Sequence, residues 1–333
     1  MRSSEEAELC FPQLPNSSCR KTVNPSSISM LMYVTLSSIS LLTVTLNMLV
    51  IISISHFKQL HTPTNFLLLS LAVSDFFVGF LMIFQLLLID GCWYLGDLVC
   101  ILYNFFDYII TSASVETIVL ISIDCYVAVC DPFQYPTKVT HRRVCVCVLL
   151  CWLFSFLCVF IVMKENLGQV GKYNSCLGEC VVVFDKIAGF IDILFFFIGP
   201  VTIIVVLYVR VFVVAVSQIR AMRSRVTVIT VQGSVTVTVR KSELKSARTL
   251  GAVGVAFLIC LCPYFCLTLT GQGTQLGASS IAFVLFYLNS VLNPLIYALF
   301  YPWFRKSVKF IFTLQILNSG VCNLWLWSHY GSL

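Results

Sequence analysis

Hydrophobic residues fall in long runs separated by short polar stretches, and the runs are too long for strands. Residues 22–55 carry no charged side chain; residues 65–89 carry only Asp75; residues 99–129 carry Asp107, Glu116 and Asp124. Residues 144–163 are uncharged between Arg143 and Lys164, and residues 187–216 hold Asp192 and Arg210. A hydrocarbon core about 30 Å thick is crossed by about 20 helical residues, so each of these runs crosses once. Residues 249–304 are uncharged and too long for a single crossing. Gly271, Gln272, Gly273, Thr274, Gln275, Leu276 and Gly277 form a turn-rich break that divides them into spans 6 and 7. The pattern predicts an all-α membrane protein: a seven-transmembrane helix bundle with a short amphipathic helix after span 7. The expected division is residues 1–28 outside, residues 29–313 as the bundle with its cytoplasmic helix, and residues 314–333 as a cytoplasmic tail.

The basic residues orient the bundle. Segments after spans 1, 3, 5 and 7 hold 14 Lys and Arg, including Lys58, Arg142, Arg143, Arg240 and Lys306; the opposite segments hold 6. The richer side is cytoplasmic, which puts the N-terminus outside and makes a multi-pass plasma-membrane protein the expectation. The acidic start lacks a short apolar core, so span 1 is read as a signal anchor rather than a cleaved peptide. Asn16, Ser17 and Ser18 form a glycosylation acceptor on the outer side. Composition agrees: of 333 residues, 59% are hydrophobic and only 11% charged, with mean hydropathy +0.93. Soluble domains are about 25% charged, so a soluble enzyme or a nucleic-acid partner is excluded. Most of the 16 cysteines lie in apolar runs, where a thiol acts as a small hydrophobe. Residues 226–239 alternate Val and Thr, a strand-like period read here as a cytoplasmic loop.

A charge in the bilayer core costs at least ~2.5 kcal/mol, so each intramembrane acid needs a reason. Asp107 lies near the outer end of span 3 with Thr111 and Ser114 on roughly the same helical face. No Lys or Arg occupies the outer half of any span, which makes an ammonium ligand the natural partner of this carboxylate. Asp192, eight residues before Pro200, is a second such acid. If both face one cavity, a ligand with two ammonium groups satisfies both. Asp75, mid-span, has Asn47, Ser114, Asn289, Ser290 and Asn293 available on other spans. This oxygen-rich set suits a small hard cation, sodium at Asp75, Ser114, Asn289 and Asn293, or a water network. Glu116 lies off the pocket-facing stripe and receives no role.

Span 7 contains Asn293, Pro294 and Tyr297 in the NPxxY pattern. With Asn47, Leu71 and Asp75, Cys100, Trp152, Pro200, Tyr208, Phe257, Cys260 and Pro263, the chain resembles rhodopsin-like G protein-coupled receptors over nearly its whole length. Residues 289–305, ending in Tyr301, Pro302, Trp303, Phe304 and Arg305, and the inner loop at residues 56–65 resemble trace amine-associated receptors more narrowly. The resemblance implies disulfides Cys100–Cys180 and Cys19–Cys176, leaving Cys10 unpaired or in the place of Cys19. It implies that Asp107 binds a ligand ammonium with Tyr287 hydrogen-bonding it, and that Asp192 matches the second acid of fish receptors resembling diamine detectors. Cadaverine or putrescine would then place one ammonium on each acid, with Thr111, Tyr264 and Phe265 as walls. The implied partners are a small-molecule amine, membrane lipid and a heterotrimeric G protein of the stimulatory type, with olfactory sensing as the setting. No cofactor is expected apart from the sodium ion.

Two positions depart from the pattern. The family's Asp-Arg-Tyr reads Asp124, Cys125, Tyr126, so Glu243, which matches the usual partner of the Arg, has none. The family's Cys-Trp-x-Pro reads Cys260, Leu261, Cys262, Pro263. The residues implied in coupling and activation are thus Asp124, Cys125, Tyr126, Tyr208, Glu243, Asn293, Pro294 and Tyr297. Rival readings are a receptor of this fold for another ligand, a copy with weakened coupling, and a transporter, which internal repeats would favour and which are not seen. Retinal is disfavoured because span 7 has no Lys, and an enzyme because HExxH, GxSxG and P-loop patterns are missing.

Overall fold

The computed structural model describes residues 8–21, 26–89, 91–226, 251–267 and 276–313. Its helices are α1 (Ser26–His56), α2 (Pro63–Leu87), α3 (Asp97–Cys130), the single turn α4 (Tyr135–Lys138), α5 (His141–Gly168), α6 (Lys186–Ile193), α7 (Gly199–Val226), α8 (Gly251–Leu267), α9 (Leu276–Phe300) and α10 (Pro302–Phe312). Helices α6 and α7 are joined by a π turn at Leu194–Ile198 and make one span. Six helices are long and apolar enough to cross a membrane, and α8 is a shorter apolar one. With α8 as span 6 the seven-helix bundle of the sequence pattern is present. Glu243, most of the Val/Thr-rich stretch, most of the Gly-rich break and the tail after residue 313 lie outside the described residues.

Local chemistry sets the helix boundaries. Thr62 caps α2 by accepting from the Asn65 amide at 3.3 Å, with Pro63 at the first position, where its missing N–H costs nothing. Thr140 caps α5 through the Arg143 amide, and Asp185 caps α6 through the Ala188 amide at 2.6 Å. Pro200 has no N–H to give to the preceding turn. The Gly199 amide reaches back to Leu194 O instead, which widens the helix into the π turn. At the end of α9 the Arg305 guanidinium donates to the carbonyls of Ala298 and Leu299, at 2.8 and 2.9 Å, and the chain turns into α10. Helix α10 buries Phe304 and Ser307 and exposes Arg305, Lys306 and Lys309, the short amphipathic helix that the pattern predicts.

Two of the apolar clusters matter for the site, an inner and an outer one. The inner one gathers Leu71, Ile118, Cys125, Phe257 and Tyr297. The outer one gathers Met82, Trp93, Tyr103 and Tyr287. Helix α5 instead turns Leu149, Leu153, Phe156 and Phe160 outward, as a span facing lipid tails does.

Candidate ligand cavity

A cavity of about 380 Å³ opens between the outer halves of the helices. Asp107, Thr111, Asp192, Tyr264, Phe265 and Tyr287 all line it, so the six side chains singled out in the sequence lie on one wall or another of a single space. Asp107 comes from α3, Asp192 from the last turn of α6 just before the π turn, Tyr264 and Phe265 from α8, and Tyr287 from α9. Both acids are half-buried. Among the described residues the only ion pairs are Lys21–Glu8 and Lys138–Asp131, both remote from the cavity, so neither acid has a protein cation. Thr111 Oγ1, one helical turn below Asp107, is buried without a hydrogen-bond partner.

The remaining lining is aromatic. Tyr264 meets Phe265, Phe283 and Phe286 at ring-centroid distances of 5.4, 6.0 and 4.9 Å, and Phe265 stacks on Phe197 at 4.3 Å. Tyr108 packs edge-on against Phe184 from the outer loop at 5.4 Å. Gln85 donates to the Tyr103 hydroxyl, and Tyr103 and Tyr287 are buried in the same outer cluster. Chemically, the space offers two carboxylates, an orphan hydroxyl and several aromatic faces, the groups that attract cations. Sequence reasoning missed Gln85, Asn104, Tyr108, Phe184 and Phe283. Gln85 alone left a signal, as an amide inside an apolar run.

Covalent ties close the outer rim. Cys100–Cys180 joins α3 to the second outer loop, and Asn104 Nδ2 donates to the Cys100 carbonyl at 2.9 Å beside it. Cys19–Cys176 ties the N-terminal segment to the same loop. Cys10 corrects the expectation: it is neither unpaired nor a substitute for Cys19 but bonds Cys92. Residues 8–21 fold back on themselves, with Leu9 bridging Arg20 and the Cys10 amide donating to Cys19 O. Two cysteines on this ribbon thus reach two different loops. Asn16 is exposed on it. Glu179 lies within ligand distance of the Cys19 and Cys176 sulfurs, but those sulfurs are bonded to each other and are no metal ligands. The Ser175 hydroxyl and amide, both 2.7 Å from Glu179 Oε2, hold its carboxyl below the usual carboxylate range.

Deeper in the bundle Asp75, with no exposed surface, accepts from Ser114 Oγ at 3.3 Å, Ser290 Oγ at 2.8 Å and Asn293 Nδ2 at 2.8 Å. Asn289 Oδ1 and Asn293 Oδ1 are buried nearby in sequence without partners. At the inner end Asp124 accepts from Tyr135 OH at 2.9 Å and Thr64 Oγ1 at 3.0 Å. Cys125 is fully buried beside it in the inner cluster. Tyr297 is fully buried, Pro294 sits inside α9, and Tyr126 packs against the inner cluster.

Residues 46–297 match the family described as 7 transmembrane receptor (rhodopsin family). The chain is 38% identical to trace amine-associated receptor 13c of Danio rerio, over 97% of this chain and 98% of that one. It is 36% identical to trace amine-associated receptor 4 of Mus musculus over 95% of this chain and 94% of that one, and 35% identical to trace amine-associated receptor 1 of Macaca mulatta over 93% and 96%. The family match and the apolar helices define a rhodopsin-family receptor that crosses the membrane several times, a class of receptors rather than enzymes. Within that class, the chain belongs to the trace amine-associated receptors.

Proposed function

We propose that this receptor senses small diamines, with one ammonium on Asp107 and the other on Asp192. The observation that carries the reading is two half-buried acids on one cavity with no protein cation for either among the described residues. Tyr264 and Phe265 offer aromatic faces to the chain between the two ammonium groups, and the orphan Thr111 hydroxyl offers a further acceptor beside Asp107. The receptor sits in the plasma membrane with its N-terminus outside, glycosylated at Asn16, and passes the signal to a heterotrimeric G protein of the stimulatory type in an olfactory setting. Ligand binding favours the active arrangement by its differential affinity for it. Residues Asp124, Tyr126, Tyr208, Glu243, Asn293, Pro294 and Tyr297 serve the inner, coupling half. Asp75, Ser114, Asn289 and Asn293 hold a sodium ion, a role supported by the spare amide oxygens of the two asparagines beside a buried carboxylate.

Binding of labelled cadaverine to membranes carrying the full chain tests the cavity. Asp107→Ala should abolish it, and undiminished affinity overturns the reading. Asp192→Ala should weaken a diamine by about 30-fold, the worth of one charge-assisted hydrogen bond, while sparing a monoamine of equal length. Equal losses for the two ligands leave a one-acid site. Cys125 favours a second reading of the output: binding is intact and coupling muted, because a thiol buried in the inner cluster stands where the family carries Arg. A cyclic-AMP screen with and without Cys125→Arg separates failed binding from failed coupling.

A further inference from the structure

One membrane-embedded acid takes no part in the amine cavity. Glu116 lies on α3 nine residues below Asp107 and eight above Asp124, so about 13 Å and about 12 Å along the axis separate it from them. It stands in the middle of its span and does not line the cavity. At about 100° per residue it falls on the stripe of α3 that exposes Leu102, Phe106 and Ile123, the stripe turned to the bilayer. Its neighbours on α5 are Cys151, Ser155 and Cys158. These three share one face of α5, opposite the lipid-facing Leu149, Leu153, Phe156 and Phe160. Glu116 is half-buried, so it sits in a seam between α3 and α5 and shows its remaining surface to hydrocarbon. Two polar atoms in this seam are orphans. Glu116 Oε1 and Ser155 Oγ are both buried, and neither has a hydrogen-bond partner among the described residues. Ser155 has no exposed surface at all. At this depth the bilayer supplies no water to satisfy them.

We propose that Glu116 and Ser155 form a second binding site, entered from the bilayer, for an uncharged amphiphile that carries a terminal hydroxyl. A hydroxyl both donates and accepts, so it can donate to Glu116 Oε1 while it accepts from the Ser155 O–H. One small group then satisfies both orphans. An ammonium only donates, which leaves the Ser155 proton without an acceptor, and it brings a charge to the middle of the bilayer. A second copy of the chain does not fit either. A helix with its side chains is about 10 Å across, too wide to reach an oxygen already buried between α3 and α5. A single alkyl chain is slim enough, and Phe106 and Ile123 of α3 give it apolar wall on either side of the acid. The site is separate from the two cavity acids and does not depend on the diamine reading.

The full-length chain in phosphatidylcholine nanodiscs tests the site, with dodecanol bearing a diazirine in mid-chain as the probe. After irradiation, labelling is read by mass spectrometry on the α5 peptide that contains Ser155, so the reactivity of the Glu116 carboxyl itself does not enter. The label should appear there, fall away with excess dodecanol and persist with excess dodecane. Displacement by dodecane as readily as by dodecanol leaves only an apolar crevice and overturns the proposal. Stronger displacement by dodecylamine makes the guest a cation and overturns it equally. Excess cadaverine should leave the label in place; displacement by it puts the probe in the amine cavity and overturns a second site. Glu116→Leu should raise the mole fraction of probe needed for half-labelling on the order of tenfold, the worth of one buried hydrogen bond. Parental labelling in that variant overturns the proposal. If Glu116→Leu melts below the parent, Ser155→Ala, which removes one atom, decides. A comparable loss of labelling then supports the site, and parental labelling overturns it.

Discussion

Asp107 and Asp192 are expensive residues for an apolar helix, each costing at least ~2.5 kcal/mol at full depth. Asp75 recovers that cost from two hydroxyls and an amide, and Asp124 from Tyr135 and Thr64, whereas Glu116 keeps a buried carboxylate oxygen without a partner. The two cavity acids recover nothing comparable from the described residues, which is why they were legible in the sequence as isolated charges in apolar runs. Tyr108 and Phe184 were not, because an aromatic residue in a span or loop looks the same whether it lines a cavity or packs in a core. Glu179 gives a prediction at this scale. Its carboxylate is held ionised by Ser175, so its folded pKa lies below the unfolded one. The loop stabilisation it brings is present at neutral pH and disappears as pH falls through that lowered folded value. Hydrogen exchange at the Ser175 amide, relative to its intrinsic rate, should rise on acidification in the parent chain and become insensitive to pH in Glu179→Gln.

Helix number and order were readable because uncharged runs of bilayer length admit few alternatives. The π turn was not: Pro200 announces a disturbed helix but not whether the chain kinks, tightens or widens. The choice matters, since Asp192 stands just before the widened turn and takes its direction from it. Loop geometry was equally hidden. Gly178 adopts φ +100° with its carbonyl accepting from the Trp93 amide at 2.7 Å. A Cβ there would meet Phe11 at 3.1 Å and the Cys10 Cβ at 3.2 Å. Gly178→Ala should therefore cost about 1–3 kcal/mol in backbone strain and loosen the ribbon. Faster exchange of the Trp93 and Cys19 amides would register it, with the helical amides of α2 unaffected.

Across the whole molecule, the sequence separated an outer from an inner face by charge alone, and the structure adds that the two faces are built differently. The outer rim carries all three disulfides among the described residues, and Cys92 was the partner that spacing could not supply. Removing Cys10–Cys92, which spans 82 positions, should destabilise the chain by roughly 2–4 kcal/mol. Thermal unfolding of Cys10→Ser and of Cys92→Ser should show equal losses, with little further loss in the double variant. Cadaverine affinity should fall less than stability does, because neither residue touches the cavity.

The stitched rim also decides which way strain can travel. On the proposed diamine reading, a guest that draws Asp107 and Asp192 together would pull on helices whose outer loops are sewn to a shared border. Like tongs riveted at one end, a bundle so tied would answer by spreading its unriveted jaws, and the proposed output then belongs to the end opposite the grip.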